Sequence, residues 1–243
     1  MRTIKRDWLI SASKKGVEAR IRERESENLK IRFHLLEKLK NPKYLSYVAR
    51  LCGYIMGDGS FEIRKEKNKG WYHHEIRFYP DNLEVGKFFI LTFKELYKKE
   101  PSIKQLNNYY RIRVTSKVAC QHLKEYGPFS SLNWRAPNNL LKETDLKIEF
   151  IRSIFDCEAH VGKKNIQFQS VSYNGIKDLK ELLEDFNIKS KMYSYKRKNP
   201  NWNINYLLMI LKKEDIKRYL QLIGFNHPIK QDKLMKLAGV PER

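Results

Sequence analysis

Leu45-Ser-Tyr-Val-Ala-Arg-Leu-Cys-Gly-Tyr-Ile-Met-Gly-Asp58-Gly-Ser-Phe-Glu-Ile63 is the stretch on which the reading of this chain turns. A mostly apolar run ends in a small residue, Gly57, followed at once by an acid. The plan recurs in Asp145-Leu-Lys-Ile-Glu-Phe-Ile-Arg-Ser-Ile-Phe-Asp-Cys-Glu158-Ala-His-Val161, and the two acids lie 100 positions apart. Self-similarity at a fixed offset signals a duplicated unit.

Working outward, each copy is followed by the same order of patterns. In the first half, Phe61 to Arg64 and Trp71 to Tyr79 read as strands, and Leu83 to Tyr97 has helical spacing at Leu83, Phe88, Leu91 and Leu96. Tyr109 to Thr115 alternates, and Ser116 is placed to cap a helix running to Tyr126. In the second half, Asn165 to Val171 and Trp202 to Leu211 are strands, while Ile176 to Phe186 and Glu214 to Ile223 are helices. The expectation is an α/β (α+β) fold of two pseudo-symmetric αββαββα repeats, residues 45–144 and 145–243. Antiparallel sheets would form a saddle, with the two motif helices at the interface. Residues 1–44 stand outside the repeat as a basic helical extension, with 13 Lys and Arg against 6 acids and helical character from Val17 to Leu39. Their charge is that of a solvated helix face or of an arm along a nucleic-acid backbone.

The motif helices carry small residues four apart, Gly53 and Gly57 in one, Ser153 and Cys157 in the other. Residues four apart share a face, and small ones let two backbones approach closely. Packed about a pseudo-two-fold axis, the helices bring Asp58 and Glu158 together at their C-terminal ends. That placement is unfavourable in isolation, because a helix C-terminus is partially negative and two close carboxylates repel. A hard divalent cation reverses the balance and accepts oxygen ligands.

Leu51-Cys-Gly-Tyr-Ile-Met-Gly-Asp-Gly59 resembles the LAGLIDADG motif, and Ile151-Arg-Ser-Ile-Phe-Asp-Cys-Glu-Ala159 resembles its second, more degenerate copy. From residue 45 onward the chain is similar to the single-chain LAGLIDADG homing endonucleases. Ser153 stands where the family usually has glycine. Ala159 replaces the terminal glycine, which predicts a different helix ending there, since alanine disfavours positive φ. The resemblance implies a site-specific double-strand DNA endonuclease that leaves 3′ overhangs, with Asp58 and Glu158 as metal ligands assisted by the carbonyls of Gly57 and Cys157. Mg²⁺ is the implied ion, with Mn²⁺ or Ca²⁺ able to take the same sites. Gly224-Phe-Asn-His-Pro-Ile-Lys230-Gln resembles the segment that supplies a catalytic lysine, so Lys230 is the candidate, with Arg135 its counterpart in the first half. The family context also implies an intron-encoded monomer.

DNA recognition is expected from the strands. Alternation sets Arg111 and Arg113 opposite Tyr110, Ile112 and Val114, and Gln167 and Gln169 opposite Ile166 and Phe168. Arg64, Arg77, Lys196, Asn203 and Asn205 are further candidates to read base edges. His73, His74 and His160 are not spaced as metal ligands.

The bulk numbers agree with that partner. Forty-nine Lys and Arg against 28 Asp and Glu leave a net charge of +21 in 243 residues, an excess that a polyanion neutralises. No apolar run reaches the ~20 residues of a membrane span, and Met1 to Lys15 lacks the apolar core of a signal peptide. Cys52, Cys120 and Cys157 form neither a CxxC pattern nor an even set, which points to a reducing intracellular setting with the DNA. Other readings are an RNA maturase, a DNA-binding regulator that does not cut, or a basic structural protein, the last leaving the repeated acid motif unexplained. An intein-borne nuclease would end in His-Asn; the chain ends Gly-Val-Pro-Glu-Arg243, so a free-standing enzyme is expected.

Overall fold

A computed structural model describes residues 2–65, 72–196, 199 and 201–240, with side chains from residue 15 onward; Trp71, expected in a strand, and the terminal Arg243 lie outside them. The first half runs α2 (Pro42–Asp58), β1 (Gly59–Lys65), β2 (Tyr72–Phe78), α3 (Leu83–Tyr97), β3 (Ser102–Gln105), β4 (Tyr110–Thr115) and α4 (Lys117–Leu123). The second repeats the order with α5 (Thr144–Glu158), β5 (Ala159–Val161), β6 (Ile166–Ser170), α6 (Tyr173–Asp185), β7 (Lys191–Tyr195), β8 (Asn205–Ile210) and α7 (Lys213–Leu222). Before both comes α1 (Arg2–Leu39), and a helix not foreseen from the sequence, α8 (Pro228–Ala238), follows.

Helix starts sit where capping chemistry predicts. Asn41 accepts from Lys43 N with Pro42 in the first turn, and Asn82, Ser116 and Ser172 cap α3, α4 and α6. Each half folds into a four-stranded antiparallel sheet, in the orders β1-β2-β4-β3 and β5-β6-β8-β7. One face of each sheet is buried under helices: Ile76, Phe78, Ile112 and Val114 in the first, Ile166, Phe168, Leu208 and Ile210 in the second. Strand alternation therefore leaves the opposite faces uncovered by the helices.

Helices α2 and α5 meet along the middle. A Cβ on Gly53 would lie 2.7 Å from Ser153 Oγ and 2.8 Å from the Phe150 carbonyl oxygen, and one on Gly57 would lie 2.5 Å from Cys157 Cβ. The contact is nearly backbone to backbone, as the small-residue spacing predicts. Toward the N-terminal end, Arg50 reaches across to Glu149 at 2.8 Å, and Arg152 holds the same carboxylate from its own helix at 2.6 Å. The interface is thus bounded by a partly buried ion-pair cluster at one end and by the two motif acids at the other.

Several local expectations are corrected. Helix α3 buries Val85, Phe89, Phe93 and Leu96, leaving Leu91 60% exposed; both stripes have helical spacing, and packing selects the aromatic one. Strand β8 starts at Asn205, not Trp202. Gly59 (φ −107°) and Ala159 (φ −80°) both leave their helices in extended conformation, so no positive φ is needed and alanine ends α5 much as glycine ends α2. Helix α1 docks through buried Ile31 and Leu35 on the helical layer, where Arg32 donates to Gln121 and Lys38 pairs with Glu95.

Because the atoms met at Gly53 include main-chain groups that cannot rotate away, Gly53→Ala should destabilise the fold by about 1–3 kcal/mol. Gly16→Ala, with nothing within 4 Å of the added carbon, should be neutral or slightly stabilising in a helix. Equal chemical-denaturation midpoints for the two variants would refute this account of the interface.

Candidate active site and nucleic-acid interface

The two motif acids finish adjacent helices. Burial pushes the Asp58 carboxyl up to about 6, with Asp81 raising it and Lys230 opposing. Glu158 sits at the rim with an exposed edge, yet desolvation and then the Asp58 charge push it up to about 7, again against Lys230. Both carboxyls therefore bind protons more tightly than ordinary carboxylates.

Lys230 is brought to this point by α8. Its ammonium donates to the Asp156 carbonyl at 2.5 Å and the Cys157 carbonyl at 2.8 Å, closing the C-terminus of α5, where positive charge is favoured. The fold delivers it by a short chain of contacts. Asp156, buried and pushed up to about 6 by desolvation, accepts from the Asn226 and His227 main-chain N–H groups at 2.9 and 3.0 Å. His227 caps α8, with Pro228 in the first turn, and its Nε2 lies 3.2 Å from Asp81 Oδ1 at the end of the first sheet. Asp81, His227 and Asp156 were not singled out in the sequence. Asn-His-Pro was a readable helix-start signal, but the partners lie 146 and 70 positions away.

The other candidates divide. Arg135 is not brought to the acids: its guanidinium makes a two-point bond to buried Asp178 on α6, at 3.1 and 2.8 Å. Beside it, Trp134 covers Gly175 and donates to Ser170 Oγ at 3.0 Å. This segment fastens the crossover between repeats to the second one, which is why a cation there looked like a counterpart of Lys230. The Cys157 carbonyl faces Lys230 Nζ. The Gly57 carbonyl belongs to the last turn of α2, next to Asp58, whose own carbonyl accepts from Tyr79 N at 2.9 Å.

On the open face of the first sheet, cross-strand pairs align Ser60 with Arg77, Glu62 with Glu75, Arg64 with His73, Arg77 with Arg113 and Arg111 with Lys104. Arg111 and Arg113 point away from the core as predicted. Glu75 is 1% exposed in the middle of this face and pairs with both Arg77 and Arg113. His73 lies 3.3 Å from the same carboxylate, and Glu62, His73 and Glu75 bring three possible ligand atoms within 4.8 Å. Both arginines occupy the Glu75 carboxylate as ion pairs. On the second sheet, Gln167 and Gln169 share the open face with Met209 and Leu207. Asn203 and Lys196 are exposed. Asn205 is corrected: it is buried, and its amide donates to Tyr195 Oη at 3.1 Å, the tyrosine opposite it on the edge strand.

Comparisons with known proteins agree with this architecture. The LAGLIDADG-like domain family matches residues 145–224. The chain is 29% identical over 209 residues to a glutamine–fructose-6-phosphate aminotransferase of Methanocaldococcus jannaschii, covering 83% of this chain and 18% of that protein. It is 28% identical over 225 residues to a replication factor C small subunit of the same organism, covering 87% and 11%. The chain therefore spans less than a fifth of the length of these curated relatives. Among solved structures, I-DmoI in complex with DNA and Mn superposes with a TM-score of 0.59 at 18% identity, covering 74% of this chain and 97% of that one. Full-length DUF199/WhiA from Thermatoga maritima gives 0.53 at 16% identity, covering 81% and 60%. The duplicated α+β fold with helices abutting at their acids is that of LAGLIDADG proteins. Residues 145–224 match the LAGLIDADG-like domain family, and the two-repeat fold of the chain is that of I-DmoI. Among the described residues no helix is long and apolar enough to cross a membrane.

Both motif acids bind protons more tightly folded than unfolded, so the metal-free protein should lose stability as pH rises from the ordinary carboxylate range to about 7. A divalent cation requires the deprotonated acids and should raise the thermal midpoint more at about pH 8 than at about pH 5. An equal increment at both values, or one retained in Asp58→Asn/Glu158→Gln, would contradict this electrostatic picture.

Proposed function

We propose that the chain is a site-specific DNA endonuclease that hydrolyses one phosphodiester in each strand of a long target, using divalent metal ions held by Asp58 and Glu158. The observation that carries the reading is the pair of carboxyls raised by burial at the meeting helix ends, Glu158 further by the Asp58 charge, with Lys230 beside them. Two hard carboxylate donors at one helix junction suit Mg²⁺, Mn²⁺ or Ca²⁺. When bound, such ions activate water and stabilise charge on the attacked phosphate.

The chain's own groups define the remaining roles. Asp58 and Glu158 deprotonate on loading and fix position, assisted by the Gly57 and Cys157 carbonyls. Lys230 places a positive charge beside the acids, where negative charge develops on the phosphate. Its hydrogen bonds to the Asp156 and Cys157 carbonyls hold it there. Each acid ends the first helix of its own repeat, so each strand would meet one of the two carboxylates. Arg135 is engaged by Asp178 and is given no role in this reading. Support for DNA as partner comes from the net charge of +21, the arginine-bearing open sheet, and the DNA present in the I-DmoI complex. A similar segment within two differently named relatives supports a self-contained mobile unit, which fits an intron-encoded or inserted nuclease acting as a monomer inside the cell. The second reading, DNA binding without cleavage, draws on the same sheets and leaves the paired raised acids unused; fold alone does not decide between them.

Incubation with a plasmid library and Mg²⁺, followed by sequencing of ends, should yield linear products with short 3′ overhangs at one site. Asp58→Asn should abolish double-strand cutting and retain binding, and Lys230→Met should slow cleavage by about 10²–10³-fold. Full cutting by Asp58→Asn removes that acid from the chemistry. Affinity should fall steeply with salt; a flat response would count against extensive phosphate contact.

A further inference from the structure

The two open sheet faces are chemically unlike. The first presents Arg64, Arg77, Arg111, Arg113 and Lys104, set in register by the strand pairing. In the second, the corresponding residues are Gln167, Gln169, Leu207 and Met209 on the central strands, with Lys191, Tyr193 and Tyr195 on the edge. Leu207 and Met209 are only half-buried, and Tyr193 and Tyr195 are 45% and 41% exposed. A repeat pair serving a symmetric ligand has no need of this difference. Apolar groups facing solvent on a sheet await an apolar contact.

We infer that the two repeats read opposite kinds of DNA half-site: a guanine-rich one beneath the first sheet and one rich in A·T pairs beneath the second. The inference rests on the DNA-binding reading above and adds the class of sequence. Guanine offers two acceptors, N7 and O6, in the major groove, which a guanidinium meets with two N–H donors. Adenine is matched by a glutamine amide, and the thymine methyl group by an apolar side chain. The first sheet supplies guanidiniums and the second supplies amides with aliphatic and thioether groups.

Glu75 sharpens the first half of this scheme. It lies buried between Arg77 and Arg113, engaging Arg113 through Nε and Arg77 through one terminal nitrogen. A long flexible cation that would otherwise wander over the sheet is thereby held at one angle, with donors remaining for a base. Glu75 is a positioning residue: it acts on specificity through the arginines and need not touch DNA itself.

The test is selection of bound sequences from a fully randomised duplex pool by the intact chain, with pool retention measured against salt. The expected consensus has two halves of opposite composition. Arg113→Ala should reduce guanine preference about tenfold in the G-rich half alone, and Leu207→Ala should relax thymine preference in the other half alone. Glu75→Gln should broaden base choice in the G-rich half while raising, not lowering, retention of the random pool, because a negative charge is lost from the face. A merely structural role for Glu75 would instead lower retention and leave the consensus intact. Halves of like composition, or an Arg113→Ala effect spread over both, overturn the inference while leaving DNA binding standing. Failure to retain any duplex in a salt-dependent manner overturns the underlying reading as well.

Discussion

Everything in this chain depends on two helix backbones lying closer than ordinary side chains allow. Gly53 against Ser153 and Gly57 against Cys157 leave no room for a further carbon, and the closeness runs down to the helix ends. Because those ends meet, the Asp58 charge raises Glu158. Larger residues at the contact would push the axes toward the usual 8–10 Å separation or beyond and part the acids. Packing and chemistry are here one constraint.

That constraint explains features that would otherwise look arbitrary. Two carboxylates at the negative ends of parallel dipoles oppose folding, and the molecule offsets this locally. Lys230 closes the α5 carbonyls, and its charge opposes the rise in both acids. At the other end, Arg50 and Arg152 share Glu149, so like charge does not accumulate there. Helix α8 exists in only one repeat, and its anchoring uses groups from both: Asp156 holds its start from the second repeat and Asp81 contacts its capping histidine from the first. The pseudo-symmetry therefore holds for the scaffold and breaks at the site. Among the described residues the first repeat has no element matching α8, and its exit segment is instead used by Trp134 and Arg135 to fasten the halves together.

Asymmetry extends to the sheets. Their strand orders are the same and their buried faces carry similar Ile, Phe and Leu residues, because both must fit helices of similar shape. Their open faces share no such requirement and have diverged, one to arginines organised around Glu75, the other to amides and apolar groups. A duplicated fold binding an unequal ligand is expected to look like this, with packing conserving the inside and recognition varying the outside.

Much of this was legible in the residues themselves. Alternation in Tyr110 to Thr115, helical spacing in Leu83 to Tyr97, the capping residue Ser116, and the small-residue spacing before each acid are local or periodic signals. Each survives in one dimension because it concerns neighbours within one turn or one strand. The face of α3 that is buried, the burial of Asn205 under Tyr195, the diversion of Arg135 to Asp178, and the network from Asp81 through His227 to Asp156 were settled in three dimensions. They depend on groups tens to more than a hundred residues apart, and a side chain's partner is chosen by distance in space and by desolvation, neither of which a linear pattern carries.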